Sequence, residues 1–227
     1  MKLHTIDTGF FKLDGGAMFG VVPRTLWSAK HPPDANNLCT WAMRCLLVED
    51  SDRLTLIDNG IGDKQDAKFF GHYDLHGSET LDGSLKKLGF SRDDITDVFL
   101  THLHFDHCGG SIVRTGDGFA PAFANARYWS NEPHWEWATS PNPREKASFL
   151  KENILPIQQS GQLQFVEIGR RSAEENVYLD KVLPNMDVFL VNGHTDAMMI
   201  PHIHYKGHTV AFMADLLPSI HHIPLPW

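Results

Sequence analysis

Between Thr101 and His107 the chain reads Thr-His-Leu-His-Phe-Asp-His, placing three imidazoles and a carboxylate within six residues. Imidazole nitrogen and carboxylate oxygen are the ligands that borderline divalent cations take. In extended or loop backbone, residues two apart project to the same side, so His102 and His104 can grip one ion together. Asp106 and His107 lie one step further on, and a curved loop can turn them toward a second ion. The pattern predicts a centre of one or two cations, zinc first, although manganese, iron or cobalt accept the same ligands. Such an ion lowers the pKa of a bound water from about 16 to about 7 and so points to hydrolysis at neutral pH. Cys108 beside the run reads as a small packing residue, because a nucleophilic thiol needs an activating base.

The elements around the run are predicted to hold it at a strand end. Ile95 to Leu100 is a short buried strand leading into Thr101, and Thr80 to Leu88 before it carries Leu81, Leu85 and Leu88 at helical spacing, with Gly89 as a stop. Loops at the C-terminal ends of such strands are where α/β proteins place their chemistry. Gly109-Gly110 is expected to let the backbone turn tightly beside the site. Upstream, Thr40 to Glu49 and Arg53 to Ile57 form a hairpin that ends on Asp58-Asn59-Gly60. Residues 62–78 have no clear period and read as loop. Downstream, Arg127 to Gln159 reads as a strand followed by two helical stretches separated by Pro141 and Pro143. Strands are then expected at Leu163 to Ile168, Val188 to Val191, Met198 to His204 and Thr209 to Met213.

Composition narrows the function classes. Apolar residues are 42% of the 227, enough for a substantial core in one domain over 1–227, and no stretch reads as a linker. The formal net charge of −8 gives no support for nucleic-acid binding, which asks for a basic face. No window has the length and apolarity of a membrane span. Met1 to Gly20 is interrupted by Asp7, Lys12 and Asp14 and does not read as a signal peptide, so a cytoplasmic protein is expected. Three cysteines in a chain of this size do not suggest a disulfide framework.

The run resembles the H-x-H-x-D-H signature of the metallo-β-lactamase superfamily. Three further segments are similar to that family in order and spacing: Leu56-Ile57-Asp58-Asn59-Gly60, Gly193-His194-Thr195 and Phe212-Met213-Ala214-Asp215. The resemblance implies an α/β fold of four layers, an αβ/βα sandwich of two mixed β-sheets with helices on the outer faces and the metal site at one edge. It implies that His102, His104 and His194 hold a first ion, that Asp106 and His107 hold a second, and that Asp215 bridges both. Asp58 and Thr101 would orient imidazoles by hydrogen bonds. Asp106 and Asp215 would be the catalytic carboxylates, with Asp106 orienting the attacking water or passing a proton to the leaving group. Family members usually supply a last histidine beyond the bridging aspartate. Here only a dozen residues follow Asp215, so the chain is expected to lack the domain's C-terminal end, with His221 or His222 as replacement ligand.

The layout is most similar to the branch of N-acyl-homoserine lactonases and methyl parathion hydrolase-like enzymes, which implies a small-molecule lactone, ester or phosphotriester as substrate and a homodimer as one assembly state. Phe69, Phe70, Tyr73, Phe105, Trp135 and Trp137 are abundant enough for some to line an apolar pocket, although each singly reads as core. A glyoxalase II-like thioester hydrolase is the enzyme alternative, and a non-catalytic metal- or ligand-binding protein on the same fold is the alternative of another class.

Overall fold

A computed structural model describes residues 1–116, 118–168 and 176–224. The chain opens on β1 (Lys2–Asp14), which pairs antiparallel with β2 (Leu38–Asp50), and β2 folds back as β3 (Arg53–Ile57). From Cys39 to Cys45, β2 alternates strictly between buried and exposed residues; Leu47 and Val48 are then buried in succession, because here the strand is covered on both faces. Short helices α1 (Gly15–Phe19) and α2 (Arg24–Trp27) occupy the connection between β1 and β2. One turn of helix, α3 (Ala67–Phe70), lies inside the segment that the sequence suggests is loop.

Helix α4 (Leu81–Lys87) is the crossover that lets β4 (Asp97–Phe99) lie parallel to β3. Its N-cap is Thr80, whose hydroxyl accepts from the Gly83 N–H. The metal-motif turn is α5 (Phe105–Cys108), and the small hairpin of β5 (Ile112–Thr115) and β6 (Gly118–Pro121) follows. Then β7 (Arg127–Ser130) pairs parallel with β4, helices α6 (Glu132–Thr139) and α7 (Lys151–Gln159) follow, and β8 (Leu163–Phe165) pairs parallel with β7. The first sheet is mixed, in the order β1-β2-β3-β4-β7-β8. The second sheet, in the order β12-β11-β10-β9, is built from β9 (Val177–Leu183), β10 (Met186–Val191), β11 (Met198–Tyr205) and β12 (His208–Ala211), all antiparallel.

Two cores explain the layering. Leu47, Leu56, Val98 and Tyr128 of the first sheet pack with Leu81 and Leu85 of α4, Trp135 of α6 and Ile154 and Ile157 of α7. Val48, Ile57 and Phe99 face the other way and pack with Leu183, Val188, Leu190, Met199 and Ile203 of the second sheet. The sheets thus lie face to face with helices outside the first, an α/β sandwich as expected, but the second sheet is antiparallel throughout rather than mixed. Among the described residues no helix is long and apolar enough to cross a membrane.

Three predicted strands are shorter than expected, the one read over Ile95 to Leu100 being reduced to Asp97–Phe99. The last one spans His208–Ala211, and a 3-10 turn over Ala214–Leu216 carries Asp215. The strand from Leu163 ends at Phe165. The long β1 and the strand β9 carry no sharp alternation, since most of their residues are half-buried or exposed.

Candidate metal centre

Neighbouring parallel strands deliver the first parts of the site. Ile57 and Phe99 are in register, so Asp58 and Thr101 emerge at the same sheet edge, and the Asp58 N–H donates to the Phe99 carbonyl at 2.9 Å. Asp58 has φ of 55°, a left-handed conformation that costs a non-glycine residue energy and is met mostly where geometry is demanded. Its buried carboxylate collects three donors: the Thr101 N–H at 2.9 Å, the Thr101 hydroxyl at 2.8 Å and His107 Nδ1 at 2.8 Å. Having given its proton to Asp58, the Thr101 hydroxyl accepts from His102 Nδ1 at 3.1 Å. That fixes the His102 tautomer and leaves Nε2 as a bare lone pair. Asp58 and Thr101 therefore stand in hydrogen-bond contact with the imidazoles of His107 and His102.

The one-turn helix α5 carries Asp106 and His107, and it brings the His107 ring to 4.1 Å from that of His102. Behind it, the loop 59–62 passes very close. A Cβ on Gly109 would lie 2.1 Å from the Ile61 carbonyl oxygen, and one on Gly110 would lie 2.3 Å from that of Asn59. Both glycines have been read from sequence as turn formers. The backbone does turn here, in a 3-10 helix over Gly109–Ser111, but without a positive φ at either glycine, and both are needed because two backbones touch. The same junction buries Lys64, whose ammonium donates to the Gly109 carbonyl. Burial lowers the Lys64 pKa to about 8. Lys64 went unnoticed in the sequence, where a lone lysine in a polar loop carries no signal. Cys108 is buried and donates to the Leu103 carbonyl at 3.3 Å. Burial raises its thiol to about 12, so it is not poised as a nucleophile.

The second sheet brings the distant residues. His194 follows the end of β10, and Asp215 follows β12. The Met199 N–H donates to the Thr101 carbonyl at 2.9 Å and ties that sheet to the motif. His104 Nδ1 and His194 Nε2 stand 3.0 Å apart, His194 Nε2 and Asp215 Oδ2 3.3 Å, and His107 Nε2 and Asp215 Oδ1 3.2 Å. Asp106 Oδ2 lies 3.7 Å from His107 Nε2. Two overlapping ligand sets result: His102 with His104 and His194, and His102 with His107 and Asp215. Tetrahedral zinc with Zn–N of roughly 2.0–2.1 Å spaces its ligand atoms about 3.3 Å apart, which matches these separations. Buried Nε2 of His102 has no hydrogen-bond partner, an orphan that a cation would satisfy. The residues fit a divalent ion.

Electrostatics separates the two sets. Burial, with neighbouring imidazoles adding to it, holds His102 far below the usual histidine range and His104 at about 2. His194 is lowered too, by burial against the pull of Asp215. These three rings are neutral ligands at neutral pH. His107 behaves oppositely. Burial disfavours its charge, but the Asp215 and Asp106 carboxylates outweigh that and raise it well above the usual range. Asp215 is lowered: burial opposes its charge, and His107 and His194 override it. Burial raises Asp106 to about 6, with His107 opposing.

His221 and His222 are not brought into the cluster, contrary to the expectation of a replacement ligand. His222 uses both ring nitrogens elsewhere, Nδ1 with the Ser219 hydroxyl at 2.8 Å and Nε2 with the Met18 carbonyl at 3.0 Å, and it stacks on Phe19 at 4.5 Å. His221 meets His31 edge-on at 5.9 Å. The aromatics that read singly as core lie in or against the core, and none of them lines the cavity beside His194. Phe69, Phe70, Tyr73 and Phe105 pack beside Trp27 and Trp41, and Trp135 packs in the helix-side core. Trp137 donates its indole N–H to Glu145, which also accepts from the Thr195 hydroxyl at 2.8 Å and so steadies the His194 loop. Over His194 and Asp215 opens a cavity of about 470 Å³, walled by Met18, Leu216, Leu217, Pro218, Ile223 and Pro224.

Comparison with known proteins agrees with this geometry. A solved "probable metal-dependent hydrolase" from Staphylococcus aureus superposes with a TM-score of 0.80 at 26% identity, over 92% of this chain and 71% of that one. AidC, described as a dizinc quorum-quenching lactonase, shares the fold with a TM-score of 0.66 at 22% identity, over 95% and 71%. In sequence, N-acyl homoserine lactonase AiiA of Bacillus thuringiensis subsp. kurstaki is 27% identical over 165 residues, 68% of this chain and 56% of that protein. The chain thus spans little more than half the length of that relative. The family model of the metallo-beta-lactamase superfamily matches residues 44–227. With that match running through the whole ligand cluster, the chain belongs to the metallo-beta-lactamase superfamily.

Proposed function

We propose that the chain is a zinc-dependent hydrolase of uncharged lactones, esters or phosphotriesters. The observation that carries this is the convergence of His102, His104, His194, His107 and Asp215 from two sheets beneath an apolar cavity. His102, His104 and His194 would hold the first ion, Asp106 and His107 the second, with Asp215 shared. Zinc suits the nitrogen-rich first set, while manganese, iron or cobalt would suit the same donors. When bound, the metal supplies an acidified water and a polarising contact for C=O or P=O.

The chain's own groups do the rest. Asp58 holds His107 directly and His102 through the Thr101 hydroxyl, so both rings keep one orientation. Asp106, with Oδ2 3.7 Å from His107 Nε2, stands where it can orient the attacking water or pass its proton to the leaving oxygen. The apolar part of the cavity wall favours an apolar acyl or aryl group. Among the described residues lining the cavity there is no lysine or arginine, which disfavours an anionic thioester substrate of the glyoxalase II kind.

The test is hydrolysis by the zinc-loaded chain of three probes: a chromogenic ester, a lactone and paraoxon. Turnover of at least one is expected, abolished by EDTA dialysis and by His102→Ala combined with His104→Ala. Stoichiometric zinc with no turnover on any probe would leave a binding protein in place of an enzyme.

A further inference from the structure

We infer that His134 is a positioning residue: one buried imidazole that sets the spacing between the two loops supplying the first ion's ligands. This rests on the metal-binding reading above. His134 lies in the first turn of α6 and is fully buried. Its Nε2 accepts from the Leu103 N–H at 2.9 Å, and its Nδ1 donates to the Asp196 carbonyl at 2.6 Å. Leu103 sits between His102 and His104, and Asp196 is two residues past His194. A rigid five-membered ring therefore joins the backbone of one ligand pair to the backbone beside the third ligand. His134 itself is not in either ligand set.

The chemistry of the two partners leaves no freedom. An amide N–H only donates and a carbonyl only accepts, so the ring must be neutral with its proton on Nδ1. Asn131 reinforces the arrangement. Its carbonyl oxygen caps α6 by accepting from the His134 N–H at 2.9 Å, and its amide donates to the Ala197 carbonyl at 2.8 Å. Two side chains at the start of one helix thus hold the consecutive carbonyls of Asp196 and Ala197. Ala197 has φ of 49°, and its N–H is held by Asn192 Oδ1 at 2.8 Å, so this loop keeps its shape through side-chain hydrogen bonds rather than a strand ladder. The bland reading is a histidine satisfied in a core, stabilising the fold without bearing on the metal. The two readings part on metal affinity.

The experiment uses the metal-free full chain, zinc competition against a chromophoric chelator, and the visible spectrum of bound cobalt(II). His134→Asn keeps a donor near Asp196 but is too short to reach Leu103. Trp135→Phe, in the same helix and buried against α7 and the first sheet, is the control for stability loss. The expected result is a ~10–100-fold loss of affinity for the tighter zinc ion in His134→Asn, with a shifted cobalt spectrum, and less than twofold change in Trp135→Phe. Affinity and spectrum unchanged in His134→Asn would overturn the role, as would an equal loss in the control. A measurement on the unmutated chain keeps the inference testable if the variant fails to fold: nitrogen NMR should find His134 protonated at Nδ1 and bare at Nε2. The opposite tautomer would overturn it. An unmutated chain that binds no zinc would instead overturn the metal reading itself.

Discussion

Across two adjacent strand ends, 49 residues apart in sequence, His107 Nδ1 donates to Asp58 Oδ2 at 2.8 Å. The same carboxylate reaches His102 through Thr101, so one buried acid orients a ring from each ligand set. Asp58→Asn replaces an acceptor of three donors with a half-donor group. The expected effect is a ~10–100-fold weaker second zinc ion and a smaller effect on the first, read by chelator competition. Affinities at both sites unchanged from the parent chain would show that Asp58 only closes a turn.

Asp215 lies within 3.3 Å of both His107 and His194. Asp215→Ala should therefore lower occupancy of the second ion more than the first, because three imidazoles remain at the first. Metal counted per chain by elemental analysis after dialysis checks this. Equal loss at both sites would contradict a shared ligand.

Protons should distinguish the two ions. The imidazoles of the first set are already neutral near pH 7, so filling it should release few protons. His107 is raised above the usual range and holds a proton that a cation must displace. The second ion's apparent affinity should then rise with pH more steeply than the first's. Calorimetric titration in buffers of different ionisation enthalpy would count the released proton, and a second step without one would be contrary to the prediction.

Lys64 should leave a mark on alkaline stability. Its pKa is about 8 in the folded chain against 10.5 for an ordinary lysine. Between those values the unfolded chain binds more protons, so the Lys64 contribution to stability rises with pH in that window and is flat below it. The full difference is at most about 3 kcal/mol. Urea unfolding of the natural chain and of Lys64→Met at pH 7.5 and 10 should show the gap between them shifting in favour of the natural chain. A gap independent of pH would mean that Lys64 titrates as a surface lysine does.

Gly109→Ala should destabilise more than most single substitutions, by about 2–3 kcal/mol or more, because the new Cβ would lie 2.1 Å from a backbone oxygen that cannot rotate away. Thermal melting of the metal-free variant reads this directly. A melting point within a degree of the parent would imply that the loop over residues 59–62 yields freely.

The sequence made the central run legible because its ligands are local: a strand of three buried residues, a turn, and residues two or four apart. Asp58, His194 and Asp215 were legible for another reason, since each sits in a short segment resembling the family's. What stayed hidden depends on contacts across the chain. His134 meets Leu103 and Asp196 at separations of 31 and 62 residues, and nothing beside it in sequence marks it as more than a helix residue. His221 and His222 had the right chemistry, but hydrogen bonds to Ser219 and Met18 and stacking on Phe19 take up His222. The apolar walls of the cavity come from Met18, Leu216, Leu217, Pro218, Ile223 and Pro224, on connecting segments with no period to read.

The ligands are divided between the sheets, with His102, His104 and His107 at the end of β4 and His194 and Asp215 on segments leaving β10 and β12. Neither half of the sandwich carries a whole coordination set. A cation held here is a clasp between them, and its binding energy is at the same time adhesion energy between the two layers. Because it grips only the assembled form, each tenfold excess of free ion over its dissociation constant should add about 1.4 kcal/mol against separation of the halves. Chelation would then loosen the seam between the sheets before either sheet frays.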